Sequence, residues 1–216
     1  IAALTAAIDA IGHLYIADGH HRSAAAARVA ASRQAGAGTA SAWFLSVAFP
    51  DDQMRIFDYN RVVRDLNGLS AAGLLEAAAE SFDIEPVEGR ARPSTARTFG
   101  MYLEGRWYRL RAKDAIGTGD AVARLDVSIL HSHLIEPLLG ISDPRTDARI
   151  DFVGGVRGLE ALEARVRDGR AAVAFALFPT GTRDLMDVAD AGLLMPPKST
   201  WFEPKLADGL LTHVLD

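Results

Sequence analysis

The sequence predicts a mixed α+β fold, and three observations carry that prediction. Short apolar segments of strand length alternate with alanine-rich segments of helical spacing, without the regular βαβ rhythm of a doubly wound sheet. A hairpin interrupts them, because Thr98–Leu103 and Arg106–Ala112 flank Glu104-Gly105, where a two-residue turn belongs. Neither the glycine-rich dinucleotide fingerprint nor a P-loop occurs, so the standard nucleotide folds are not indicated.

Taken in order, Ala2 to Ile11 has helical spacing, and His13–Ala17 reads as a buried strand broken by Asp18-Gly19. A strong helix former follows from His21 to Gln34, closed by Gly36 and Gly38. Trp43–Phe49 reads as a second buried strand and Arg55–Tyr59 as a short third one. Helices are expected over Arg61–Leu66 and Ala71–Ser81, the latter capped by Ser70, then an edge strand over Phe82–Val87. The Arg-, Pro- and Ser-rich stretch 88–96 marks a boundary between a part spanning 1–90 and a second α+β subdomain over 97–216 that closes over the site. Beyond the hairpin come a helix Ser128–Leu139, a strand Arg149–Val153 and an amphipathic helix Gly158–Val166. The very apolar strand Ala171–Phe178, a helix Thr182–Ala191 and a last strand Leu210–Leu215 complete the prediction.

The 216 residues carry a formal net charge of -5 with no dense basic stripe, which argues against a protein whose main task is gripping nucleic-acid phosphates. Cysteine is absent, which removes disulfides and thiolate chemistry and suits a reducing cytoplasm. No apolar run is long enough to span a bilayer, so no membrane partner is expected. The first residue is Ile1 rather than methionine, and the opening reads as a fragment lacking an N-terminal segment.

Asp18-Gly19-His20-His21-Arg22 is where residue types and position agree on one chemistry. Glycine after a strand lets the backbone turn sharply and approach a ligand. The helix starting there offers unpaired N–H groups and the positive end of its dipole. Arg22 adds a forked cation suited to phosphate oxygens, and His20 and His21 can donate hydrogen bonds or shuttle a proton. A phosphorylated small molecule is therefore the expected ligand. The bland alternative is that Asp18 caps the helix, Arg22 pairs with an acid and the histidines are only polar surface.

The stretch IADGHHRSAAA resembles the G-x-x-R-x-x-A box shared by ParB-type proteins, sulfiredoxin and the free-serine kinases. YIADGHHR together with MPPKSTWFEPKLADGL, from Tyr15 to Leu210, is similar to the bacterial and archaeal family known as domain of unknown function 1015, sometimes labelled ParB/RepB-like. The resemblance implies a ParB/sulfiredoxin-like N-terminal part in which Gly19, His20, His21 and Arg22 cradle phosphates. Asp18, with His20 and His21, would be catalytic, and Asp18 would sit near the transferred phosphoryl group or its Mg²⁺. ATP, ADP or CTP is the implied nucleotide. The kinases also use an acidic residue upstream of the box, and the general base is accordingly expected in the missing segment.

A second cluster, PPKSTWFEPK, packs polar groups into a proline-stiffened stretch. Lys198, Ser199 and Thr200 are candidates for phosphate contacts, and Lys205 is a further cation; the alternative is a surface loop anchored by Trp201 and Phe202. Tyr59-Asn60-Arg61 is read as a strand end opening a helix, which makes Asn60 and Arg61 a secondary anion site or Asn60 a simple cap. His131 and His133, two apart in a helix, make a poor metal pair, and 143–147 reads as a turn. Trp43 and Trp107 are assigned to packing.

Three functions compete at this level. One is a phosphotransferase or nucleotide hydrolase acting on a small hydroxylated substrate with Mg²⁺. The others are a ParB-like nucleotide-gated DNA-binding module, for which no helix-turn-helix is evident, and a non-catalytic sensor of a phosphorylated metabolite.

Overall fold

The computed structural model describes residues 1–36, 38–207 and 209–215. The chain divides into two compact units, one of Ile1–Arg55 with Pro204–Asp216 and the other of Ile56–Glu203. The 88–96 stretch lies inside the second unit, because the strands on either side of it pair with the same neighbour.

The first unit holds helix α1 (Ala2–Asp9) and helix α2 (His20–Ser32), neither of which has a buried residue. His13–Ala17 and Trp43–Phe49 have strand-like sequences but join no sheet among the described residues. An extended segment becomes a strand only when a neighbour takes its N–H and C=O groups. Instead Leu14, Trp43, Phe44 and Val47 are exposed, Trp43 to 65%, which corrects its assignment to packing. Leu210–Leu215 likewise forms no strand among the described residues.

The second unit is a six-stranded sheet with helices on both faces. Its strands are β2 (Tyr59–Val63), β3 (Phe82–Val87), β4 (Thr98–Leu103), β5 (Arg106–Ala112), β6 (Ile150–Gly154) and β7 (Val173–Leu177). Their order is β3-β5-β4-β7-β2-β6, and every neighbouring pair is antiparallel. A two-stranded ribbon joins β1 (Arg55–Phe57) to β8 (Trp201–Glu203). The fold class is α+β, as the sequence predicts.

Residues alternate across a strand, so β7 feeds both faces. Val173, Phe175 and Leu177 join a core built with α3 (Ala71–Ala78) and the helical run from α4 (Asp126–Leu130) to α5 (Glu136–Leu139). Ala174 and Ala176 join a second core with Tyr102, Trp107 and Leu162 of helix α6 (Glu160–Arg167). A last helix, α7 (Thr182–Asp190), places Val188 in the first core.

Local signals explain much of this. Ser70 caps α3, its Oγ accepting from the Gly73 amide at 3.1 Å. Glu104 and Gly105 both take positive φ, 48° and 79°, the backbone of a primed hairpin turn. Trp107 is buried on the hairpin and donates its Nε1 hydrogen to Glu163 at 2.9 Å. The helix expected over Arg61–Leu66 is instead the end of β2, whose Arg61, Val62 and Val63 are paired on both sides, with β6 and with β7.

Candidate functional site

The DGHHR turn lies in the first unit and has the local geometry its sequence implies. Gly19 is the N-cap of α2 with φ 90° and ψ 25°, a left-handed conformation open mainly to glycine. Its amide donates to Asp18 Oδ1 at 2.8 Å, so Asp18 fastens the residue before the helix and makes no side-chain cap bond to the helix itself. The first intrahelical bond runs from the Ser23 amide to the Gly19 carbonyl at 2.9 Å. The Ser23 hydroxyl turns inward to the carbonyls of Gly19 and His20. Among the described residues the amides of His20, His21 and Arg22 are left without an acceptor, as the first turn of any uncapped helix must be.

Arg22 folds back over this turn. A Cβ at Gly19 would lie 3.2 Å from Arg22 Nη2, a contact the flexible guanidinium could relieve, so glycine is needed here for its φ. Arg22 is exposed and has no carboxylate within ion-pair distance among the described residues. His20 and His21 are exposed beside it.

Asp18 and Lys205 meet in the same unit, with Lys205 Nζ 3.0 Å from Asp18 Oδ2 and both side chains about half exposed. That bond, with help from the Gly19 amide, holds the Asp18 carboxyl below the usual carboxylate range. An ionised carboxylate so held suits electrostatic or metal-bridging work and is a poor proton donor. No cluster of three metal-ligating side chains occurs among the described residues. Mg²⁺ is often held by only one or two carboxylates plus substrate phosphates, and Asp18 could serve such a site only by exchanging its Lys205 bond for the metal.

The other candidates fall in the second unit and form a separate set. Lys198 takes φ 55°, its carbonyl accepts from Arg61 Nη2 at 3.0 Å, and its Nζ stands 5.7 Å from the centre of the Tyr59 ring. Ser199 is buried, with its hydroxyl donated to the Pro196 carbonyl at 2.6 Å and its own carbonyl accepting from Thr180 Oγ at 3.2 Å. These bonds make Ser199 a fastener of the loop, which leaves its hydroxyl committed rather than offered to a phosphate. Thr200 is half-buried beside it.

Asn60 and Arg61 are not at a helix start. Both are buried in β2, so the helix-dipole site expected there does not exist. Asn60 Oδ1 accepts from the Leu177 amide at 2.9 Å and its Nδ2 donates to Asp58 Oδ2 at 2.5 Å, which ties β2 to β7 across the sheet. Gly155 passes so close to Asp58 that any side chain would strike the carboxylate. Arg61 sends Nη1 to the Tyr59 carbonyl and stacks 5.4 Å from the Phe152 ring centre. No sequence signal marks Arg61 as a buried cation, because a strand buried along both faces lacks the alternation that separates a strand from a short helix.

Residues 1–128 match the family described as "Protein of unknown function (DUF1015)". The chain belongs to that family. The DUF1015 match contains the DGHHR turn and ends before Met195–Leu210. No curated protein matches the chain. Among solved structures it is similar to a free serine kinase in complex with AMP, at 14% identity and a TM-score of 0.44, over 87% of this chain and 66% of that one. A mutant free serine kinase with AMP gives 15% identity and a TM-score of 0.45 over the same shares. A conserved hypothetical protein from Pyrococcus furiosus gives 16% and 0.44, over 87% of this chain and 68% of that one. The chain thus spans about two thirds of the length of the solved chains it matches. Among the described residues no helix is long and apolar enough to cross a membrane.

Proposed function

We propose that this DUF1015 protein binds the phosphates of a nucleotide at the start of α2 and transfers or hydrolyses a phosphoryl group, with a small hydroxylated molecule as the acceptor. One observation supports this most: among the described residues, the amides of His20, His21 and Arg22 and the Arg22 guanidinium are left without protein acceptors on one short turn. Unspent donors at the positive end of a helix are what a phosphate requires.

Each residue then has a defined task. The three amides and Arg22 hold phosphate oxygens, Arg22 through its fork. Gly19 lets the backbone reach the anion. His20 or His21 donates to the oxygen that gains charge, and Asp18, ionised, helps hold Mg²⁺. That ion would neutralise charge on the phosphates, and the rest of such catalysis is positioning and electrostatics. Lys205, bonded to Asp18, adds a cation at the rim.

The test is product analysis. The protein is incubated with ATP or ADP, Mg²⁺ and a panel of hydroxy amino acids and sugars, and products are read by mass spectrometry. A phosphorylated acceptor or released phosphate is expected. Nucleotide binding without any turnover would make the protein a sensor of phosphorylated metabolites, and neither binding nor turnover would contradict the proposal.

A further inference from the structure

The second unit holds a cavity of about 220 Å³ that the phosphate reading leaves unexplained. Arg61, Ser128 and His131 supply its polar wall, and Ile150, Phe152 and Pro196 much of its apolar wall. At roughly 30 Å³ per water, it has room for about seven waters, the bulk of a small organic molecule.

The charge balance of this cavity is incomplete. Arg61 is only 5% exposed, yet it has no carboxylate within ion-pair distance among the described residues. Its bonds go to two neutral carbonyls, of Tyr59 and Lys198. Burial pulls its pKa down to about 10, which still leaves it charged at neutral pH. A buried cation normally has an anion beside it, because desolvation otherwise goes uncompensated.

A second unpartnered group belongs to a residue of the cavity wall. His131 Nδ1 is buried with no hydrogen-bond partner among the described residues. Its Nε2 lies 3.9 Å from Glu136 Oε2, beyond hydrogen-bond reach. His131 also opens a π-helical turn, His131–Ile135, between α4 and α5. Such turns are rare and are frequent at functional sites. Ser128, one turn earlier, is half-buried and lines the cavity.

The size of the missing charge identifies the ligand class. The other arginine lining the cavity, Arg145, is already met by Asp143, with bonds of 2.9 and 3.0 Å. That leaves one uncompensated positive charge, while the ionised Asp143 carboxylate disfavours a dianion. The apolar wall suits a hydrocarbon body. We propose that this cavity binds a small organic monocarboxylate, its carboxylate against Arg61 and Ser128 and its body against Phe152, Ile150 and Pro196. This site is independent of the phosphate turn and does not rest on it.

The test uses the whole chain with butyrate, its neutral isostere butyramide, and inorganic phosphate as probes, read by saturation-transfer NMR and calorimetry. Butyrate is expected to bind saturably and butyramide not, with at least a tenfold loss in Arg61→Met. Circular dichroism checks that each variant folds. If Arg61→Met does not fold, Ser128→Leu, which fills part of the cavity that both residues line, must abolish butyrate binding. Equal binding of butyramide, binding of phosphate in place of butyrate, or retained binding in a folded Arg61→Met or Ser128→Leu variant overturns the proposal.

Discussion

Arg22→Ala lowers the affinity for ATP about a hundredfold and leaves the fold intact. The guanidinium is exposed and has no ion-pair partner among the described residues, so its removal costs the free protein only a weak attraction to the Asp18 carboxylate. Surface changes of this kind stay within about 0.5 kcal/mol of stability. Bound phosphate would lose charge-assisted bonds worth about 1.5–3 kcal/mol, and the upper figure corresponds to roughly two decades in affinity. Arg22→Lys keeps the charge but loses the fork, so it falls between the two. Calorimetric titration with ATP, beside thermal melts of each variant, measures both effects. Unchanged affinity in folded Arg22→Ala would remove the guanidinium from the site.

Asp126→Asn stabilises the protein above neutral pH and flattens its pH dependence. Asp126 opens α4, and its Oδ1 accepts from the Arg97 amide at 2.8 Å. Its Oδ2 is buried with no partner among the described residues. Burial, with a smaller push from the Asp184 carboxylate, raises its pKa from 3.8 to about 6. The native state therefore holds this proton more tightly than the unfolded chain does. The stability so gained is fully present below about pH 4 and is lost as pH rises through about 6. A shift of roughly two units, at 1.36 kcal/mol each, makes the loss about 3 kcal/mol in order of magnitude. The asparagine variant has no proton to lose and should escape it. Urea unfolding at pH 4.5 and pH 8 checks the sign: the variant should gain on the wild type at pH 8 and much less at pH 4.5. A variant that loses stability at pH 8 would show that the carboxylate is well solvated or paired.

Much of the second unit was legible because its signals are local. Ser70, the Glu104-Gly105 pair and the alternation of Thr98–Ala112 each act through neighbours a few residues away. Where a partner distant in sequence decides, the reading fails. Arg61–Leu66 carries nothing that distinguishes a short helix from a strand, and its pairing with β6 and β7 settles the matter. Trp43–Phe49 has the opposite problem: its residues favour a strand, but propensity does not supply a neighbour. Trp201–Glu203 was read as a loop, since three residues offer too little pattern to see.

The candidate site divides the same way. The turn from Asp18 to Arg22 is built by adjacent residues, so its conformation followed from the sequence. The Asp18–Lys205 pair joins residues far apart in the chain, and no pattern announces it. Ser199 shows the limit in miniature, because a hydroxyl in a polar loop looks available until its acceptor is seen.

The central claim is that the unspent amides at the start of α2 receive an anion. Titrating ¹⁵N-labelled protein with ATP tests it directly through the backbone resonances of His20, His21 and Arg22. They are expected to move downfield together and saturate at one common dissociation constant. Saturable binding that leaves those three resonances in place, or shifts only residues elsewhere, would contradict it.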